Sequence, residues 1–297
     1  MKKIMITGAT GPLGSAVIDS LLKRTSPKHI VALVRNADKA AGLAARGVEI
    51  RIGDYTDHAS LVSAFRGIDK LYFVSGNDIA HRMPQHENVV QAAKEAGVRQ
   101  VVYTSFQHKD ETAASPIALV AKSHLRTEQL LKASGLVYTI LQHGIYADMI
   151  PIFAGPHLLE TKTLYLPAGE GKTAFAVRTD LAEGGANVLL DTTGRYDNKT
   201  LVLTGAEAVS YHDVVKSISK ATGLPIAYHS PSLEEFNTVL TAAGVPAEII
   251  GIVAGFATAA KVGEFDKVSN DLEQLLGRKP VPTNEFLKAV YQPALVG

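Results

Sequence analysis

Residues 2–18, Lys2-Lys3-Ile4-Met5-Ile6-Thr7-Gly8-Ala9-Thr10-Gly11-Pro12-Leu13-Gly14-Ser15-Ala16-Val17-Ile18, decide the fold. An apolar run from Lys3 to Thr7 reads as a strand, three glycines at a spacing of three read as a tight turn, and Ala16 to Leu22 reads as an apolar helix. Glycines at such a turn let the backbone approach a pyrophosphate, whose charge the free N–H groups and the dipole of the helix N-terminus stabilise. The spacing is G-x-x-G-x-x-G rather than the more familiar G-x-G-x-x-G. Gly8, Thr10, Gly11, Pro12, Leu13 and Gly14 are therefore the candidate dinucleotide loop.

Working outward, short Val/Ile-rich runs alternate with helical stretches through the first half. Strands are predicted at 3–7, 29–34, 48–52, 70–74, 100–104 and 138–141, with apolar crossover helices between them such as Val89, Ala93 and Ala96. This pattern predicts an α/β fold, a Rossmann-type doubly wound parallel sheet with a smaller, mainly helical C-terminal lobe. Prolines and glycines punctuate the chain after about 145, which places the dinucleotide-binding domain at 1–150 and the lobe at 151–297. A return to the main sheet is expected near 173–204, and the chain reads as helical from Tyr211 onward.

Arg35 follows the second predicted strand, where an NAD-specific protein would place an acidic side chain for the ribose hydroxyls. Arginine there can grip a 2'-phosphate bidentately, so NADP(H) is the expected cofactor; the alternative is a solvated loop cation. Asp54 and Tyr55 follow the third strand, either beside the adenine or with Asp54 as a helix cap. Val74, Ser75 and Gly76 end the fourth strand and should lie across from the glycine loop.

A net charge of +1, with both signs scattered, offers no footprint for nucleic acid or an acidic membrane surface. The absence of cysteine removes disulfides, thiolate nucleophiles and cysteine-ligated metals, and the histidines show no ligand spacing, so no metal is expected. The N-terminal apolar stretch stops at Gly8, too soon for a signal peptide, and a cytoplasmic location is the default.

The segments 8–14, 33–36, 53–55, His86 to Ser105 (HENVVQAAKEAGVRQVVYTS) and 137–146 together resemble the NmrA-like atypical short-chain dehydrogenases. Within them the likeness is to the NADPH-dependent quinone oxidoreductase and triphenylmethane reductase group, over essentially the whole chain. The resemblance implies hydride transfer from NADPH to a quinone or a similar conjugated, electron-poor small molecule, by a monomer or a homodimer. Alternatives are a non-catalytic NADP(H)-sensing regulator and a reductase or isomerase of another metabolite.

Ordinary members of the superfamily carry Tyr-x-x-x-Lys on the helix after the fifth strand, but here no tyrosine has a lysine four residues later. Aligning the superfamily's usual acidic residue with Glu128 puts His124 at the lysine position and Val120 at the tyrosine position. His124 is expected either to bond the nicotinamide ribose or relay a proton, or to be a hydrogen-bonded, half-buried histidine. Thr104, Ser105, Phe106 and Gln107 end the fifth strand, with Ser105 expected at the nicotinamide and Phe106 stacked on the acceptor. At the end of the sixth strand, His143 is a cofactor contact and Tyr146 a substrate-facing phenol. Relatives usually show Arg-Asn where this chain has Gln142-His143. Asp180, in Arg178-Thr-Asp180, is expected to be an N-cap or structural anchor.

Overall fold

The computed structural model describes residues 2–292. In chain order the elements are β1 (Lys3–Ile6), α1 (Pro12–Leu22), β2 (Ile30–Val34), α2 (Ala41–Ala45), β3 (Glu49–Ile52), α3 (His58–Phe65), β4 (Ile68–Phe73), α4 (Arg82–Glu95), β5 (Gln100–Phe106), α5 (Ala118–Ala133) and β6 (Val137–His143). They continue as α6 (Met149–Ala154), α7 (Leu158–Thr161), β7 (Thr163–Tyr165), β8 (Lys172–Thr173), α8 (Arg178–Leu190), β9 (Lys199–Leu203) and β10 (Val209–Ser210). The last are α9 (Tyr211–Thr222), β11 (Ala227–His229), α10 (Leu233–Ala242), α11 (Ala247–Lys261), α12 (Asp271–Leu276) and α13 (Thr283–Tyr291).

Two compact units share the chain: Met1–Phe106, Leu119–His143 and Arg178–Val202 form one, and Gln107–Ala118, Gly144–Val177 and Leu203–Gly297 the other. The division is interleaved along the chain. Gln107–Ala118 leaves the first unit directly after β5, and Arg178–Val202 returns to it.

The first unit is built on a sheet ordered β3-β2-β1-β4-β5-β6-β9, with parallel pairing from β3 through β6. β1 pairs with β2 on one side and with β4 on the other, so the order reverses there. In open parallel sheets a ligand crevice opens beyond the strand C-termini at such a switch point. β2 is buried along its whole length, which explains why Ile30–Val34 reads as a continuous apolar run rather than an alternating one. β5 and β6 run further than predicted, because their pairing continues through Ser105↔Gln142 and Phe106↔His143. Ladder partners thus outweigh the local polarity of those residues.

Helix α8 lies flush on the sheet through Gly185, where an added Cβ would sit 2.6 Å from the Tyr72 hydroxyl. Its C-terminal carbonyls are satisfied by a buried cation: Lys70 Nζ donates to Leu189 O (2.8 Å) and Asp191 O (2.6 Å).

The second unit holds two small pairs, β7–β11 (parallel) and β8–β10 (antiparallel), among helices α9 to α13. α9 starts at Ser210 in a reciprocal cap with Asp213 and stops at Gly223 in the left-handed region. The reading of the chain beyond Tyr211 as helical passed over β11, a three-residue strand whose partner lies more than sixty residues earlier in the chain. The buried carboxylate of Glu264 accepts from the backbone N–H of Lys109 and Asp110 and fastens the 107–118 segment within this unit. Among the described residues, no helix is long and apolar enough to cross a membrane.

Candidate cofactor and acceptor site

The glycine loop is shaped by close backbone approach. Gly8 has φ +57°, and an added Cβ there would meet Val74 Cβ at 3.2 Å, so Val74 does lie across from the loop. Gly11 N–H donates to Gly8 O at 2.9 Å and closes the turn. At Gly14 an added Cβ would sit 2.3 Å from Gly8 O, so only hydrogen fits where α1 folds back onto the loop. Gly11 is the N-cap of α1 and has no side chain to satisfy the first-turn donors, and Pro12 pre-sets the first turn. Thr10 and Pro12 are exposed, while Leu13 anchors the helix in the core. A helix N-terminus left uncapped, with no room for a Cβ at Gly14 behind the loop, fits a pyrophosphate.

Arg35 is exposed at the end of β2, and its charge helps lower the pKa of Asp54. The larger causes of that shift are the backbone and side-chain hydrogen bonds of Thr56. Asp54 accepts both from Thr56, and the cap of α3 is Asp57, which accepts from Ser60 N–H. The helix-cap alternative for Asp54 is thus corrected: the cap lies three residues on, because α3 begins only at His58. Tyr55 points its hydroxyl inward, donating to Val74 O (2.8 Å) and meeting the Thr7 hydroxyl. Burial raises the pKa of that phenol. The next residue, Thr56, lines a cavity of about 320 Å3 together with Gln85 and Asn88. Ser75 N–H donates to Thr104 Oγ1 (3.0 Å), tying the ends of β4 and β5 together. Gly76 is gripped on both sides of its backbone: its N–H donates to His86 Nε2 (3.1 Å) and its carbonyl accepts from Arg82 Nε (2.7 Å).

Two of the predicted site residues, Ser105 and His124, sit where β5 meets α5. Steps of two along a strand advance about 6.6 Å and steps of four along a helix about 6.0 Å. Tyr103 and Ser105 therefore match His124 and Glu128 in sequence. Tyr103 Oη lies 2.8 Å from His124 Nδ1, and Ser105 Oγ donates to Glu128 Oε1 at 2.6 Å. Gln142 Nε2 donates to the same Glu128 oxygen at 3.0 Å, and Lys132 approaches the other. The expectation that the Ser105 hydroxyl meets a nicotinamide is corrected: alternation turns it toward α5, where a buried carboxylate takes it. Ser105→Ala is accordingly expected to leave turnover within about twofold of wild type while lowering stability by about 1.5–3 kcal/mol, the contribution of a hydrogen bond to a charged group; steady-state kinetics beside a denaturant titration would check this.

His124 is buried, with Nε2 3.1 Å from Arg82 Nη1 and its ring 5.9 Å from that of Phe106. A guanidinium only donates, so Nε2 is the acceptor and the imidazole proton is assigned to Nδ1, facing Tyr103. Of the two sequence alternatives, the hydrogen-bonded buried histidine describes this geometry, and both ring nitrogens are engaged inside the protein. Lys122 is exposed on another face of the helix, as the two-residue offset requires.

His143 is wholly buried at the end of β6, and burial pushes its pKa down to about 3, so it is neutral. Asp180 is buried in the first turn of α8 rather than ahead of it, which corrects the N-cap expectation: the helix already begins at Arg178. In the second unit, Gln107 is buried; its amide donates to Lys267 O at 3.2 Å, and its Oε1 has no hydrogen-bond partner among the described residues. Tyr146 is half-buried, and its backbone bridges to Ala176. The sequence reading missed Arg82 and His86. Their spacing of four, which puts both on one face of a helix, is the only signal of them in the sequence.

The sequence matches the NmrA-like family over residues 1–287. The chain belongs to that family. It is 37% identical over 287 residues to quinone oxidoreductase 2 of Escherichia coli, covering 97% of both chains. Its structure is similar to that of the NADPH-dependent quinone oxidoreductase of Escherichia coli complexed with NADPH (TM-score 0.90, 36% identity, 97% of this chain and 99% of the other). It is also similar to the Citrobacter sp. triphenylmethane reductase complexed with NADP(H) (TM-score 0.87, 34% identity, 97% and 99%). The NmrA-like protein thus has full-length relatives whose solved structures hold the dinucleotide expected from its glycine loop.

Proposed function

We propose that this NmrA-like protein is an NADPH-dependent reductase of quinones or related conjugated, electron-poor small molecules. One observation carries the reading: an open dinucleotide cradle stands beside a β5–α5 face whose polar side chains are already bonded within the protein. NADPH supplies the hydride when bound. The uncapped N-terminus of α1 and the Gly8–Gly14 loop would hold the pyrophosphate, and Arg35 the 2'-phosphate. Reduction of a simple ketone develops alkoxide charge and calls for a strong acid, normally the tyrosine of Tyr-x-x-x-Lys. Val120 stands at that position, and the His124 and Ser105 polar atoms are engaged by Arg82, Tyr103 and Glu128. Acceptors whose reduced form is a stabilised phenolate or a neutral dye need little acid help, so orientation in an apolar site suffices.

Phe106, half-buried on the His124 ring, is the proposed stacking face, and Tyr146 is separately proposed as a substrate-facing phenol. The same reading gives a cytoplasmic protein with small-molecule partners, as a monomer or a homodimer. Purified protein mixed with NADPH and a panel of simple quinones should consume the cofactor absorbance. Tight NADP(H) binding without turnover on any acceptor would replace this reading with that of a redox-sensing regulator.

A further inference from the structure

Arg82, at the first position of α4, is 6% exposed, and among the described residues no carboxylate pairs with it. A buried cation without a hydrogen-bonded counter-ion is costly; burial lowers its pKa, the charge of Asp78 opposes that from a distance, and the direct contacts are made by dipoles. Nε donates to Gly76 O (2.7 Å), while Nη1 reaches His124 Nε2 (3.1 Å) and, more weakly, Ser123 Oγ (3.4 Å). One guanidinium therefore joins the end of β4 to the ring on which Phe106 rests. Four residues on, His86 repeats the pattern: Nε2 accepts from Gly76 N–H, and Nδ1 lies 2.8 Å from Thr127 Oγ1. Thr127 in turn donates to Ser123 O and is met by Tyr103. The acceptor role forced on both imidazoles puts the proton on Nδ1 in each.

We infer that Arg82 is a positioning residue: by donating to both Gly76 O and His124 Nε2 it locks His124 as a neutral, Nδ1-protonated imidazole and holds the Gly76 turn and the Phe106 face in register. This inference rests on the reductase reading only for its effect on turnover. Among the described residues, Arg82 from α4 and Tyr103 from β5 bond His124, His86 packs on Tyr103, Glu128 lies one turn on along the same helix, and Asp78 is the carboxylate whose charge acts on Arg82. Glu128 is turned to Ser105, Gln142 and Lys132, and burial keeps His86 neutral, with its pKa down to about 3. Arg82 is thus the group that both occupies Nε2 and opposes a second charge there.

The test combines histidine 15N NMR of the full chain without acceptor with steady-state kinetics. Wild-type His124 should show the neutral Nδ1–H pattern with no titration between about pH 5 and 8, the range in which an ordinary histidine titrates. In Arg82→Met it should titrate within that range, and the kcat/KM for quinone should fall roughly ten- to a hundredfold, as for a misplaced contact. That variant should also gain an imidazole limb in its pH profile. Arg82→Lys should recover part of the loss and return His124 toward the neutral form. Tyr103→Phe, which leaves Arg82 in place, should keep His124 neutral. A wild-type His124 that titrates, or that carries its proton on Nε2, overturns the inference whether or not any variant folds. An Arg82→Met protein with an unchanged His124 spectrum does the same. Because the NMR arm needs no turnover, it stands or falls separately from the reductase reading.

Discussion

Gly14→Ala should raise the Kd for NADPH at least about a hundredfold, equivalent to about 2.7 kcal/mol. The added Cβ would sit 2.3 Å from Gly8 O, 2.7 Å from Gly8 C and 3.0 Å from Ala9 Cα, all backbone atoms with no side-chain rotation to relieve them. The loop must move, and Gly8 O is also the acceptor that closes the turn with Gly11 N–H. Overpacking of this kind costs about 1–3 kcal/mol of stability as well. The comparison that isolates the loop is Gly42→Ala, at a site with nothing within 4 Å of the added methyl, which should bind NADPH as wild type does. Fluorescence titration of NADPH alongside thermal unfolding of both variants would check this. A folded Gly14→Ala protein with near-native affinity would remove the backbone cradle from the cofactor assignment.

Arg35→Ala is expected to change cofactor preference rather than dinucleotide binding in general. A charged hydrogen bond contributes about 1.5–3 kcal/mol, so NADPH should weaken roughly ten- to a hundredfold while NADH changes little. Arg35 is exposed, and the NADPH advantage of the wild type should shrink at high salt as the Debye length shortens. Lysine at 35 should recover the charge but not the bidentate fork, giving an intermediate preference. Equal losses for NADPH and NADH would show that Arg35 is a solvated loop cation and that another group reads the phosphate.

The legible parts of the site are those whose geometry is set within a few residues. The Gly8–Gly14 loop is closed by its own hydrogen bond and uncapped by its own residues, so its spacing suffices to recognise it. Arg35 was legible because the end of β2 has a fixed place relative to that loop in a parallel sheet. By contrast, the expectations for Ser105 at the nicotinamide and His124 at its ribose rest on their position on an aligned strand and helix, and what occupies their polar atoms comes from elsewhere. Glu128 lies 23 residues from Ser105, and Arg82 lies 42 residues from His124. Strand alternation could have warned that Ser105 shares a face with Tyr103, but no local pattern reports that α4 supplies the donor to the His124 ring.

By itself, then, the sequence determined the doubly wound sheet, the dinucleotide loop and the absence of a Tyr-x-x-x-Lys acid, because period, glycine spacing and residue identity are local properties. Only the tertiary structure decided which polar side chains stay available for chemistry. The hydroxyl of Ser105, the nitrogens of His124 and the phenol of Tyr55 are each engaged by partners distant in the chain. It likewise decided that Gln107–Ala118 changes units against its order in the chain. The physical reason is the same in both cases: a buried polar group must find a partner, and the partner is whichever donor or acceptor the packing of helices on the sheet brings within about 3 Å.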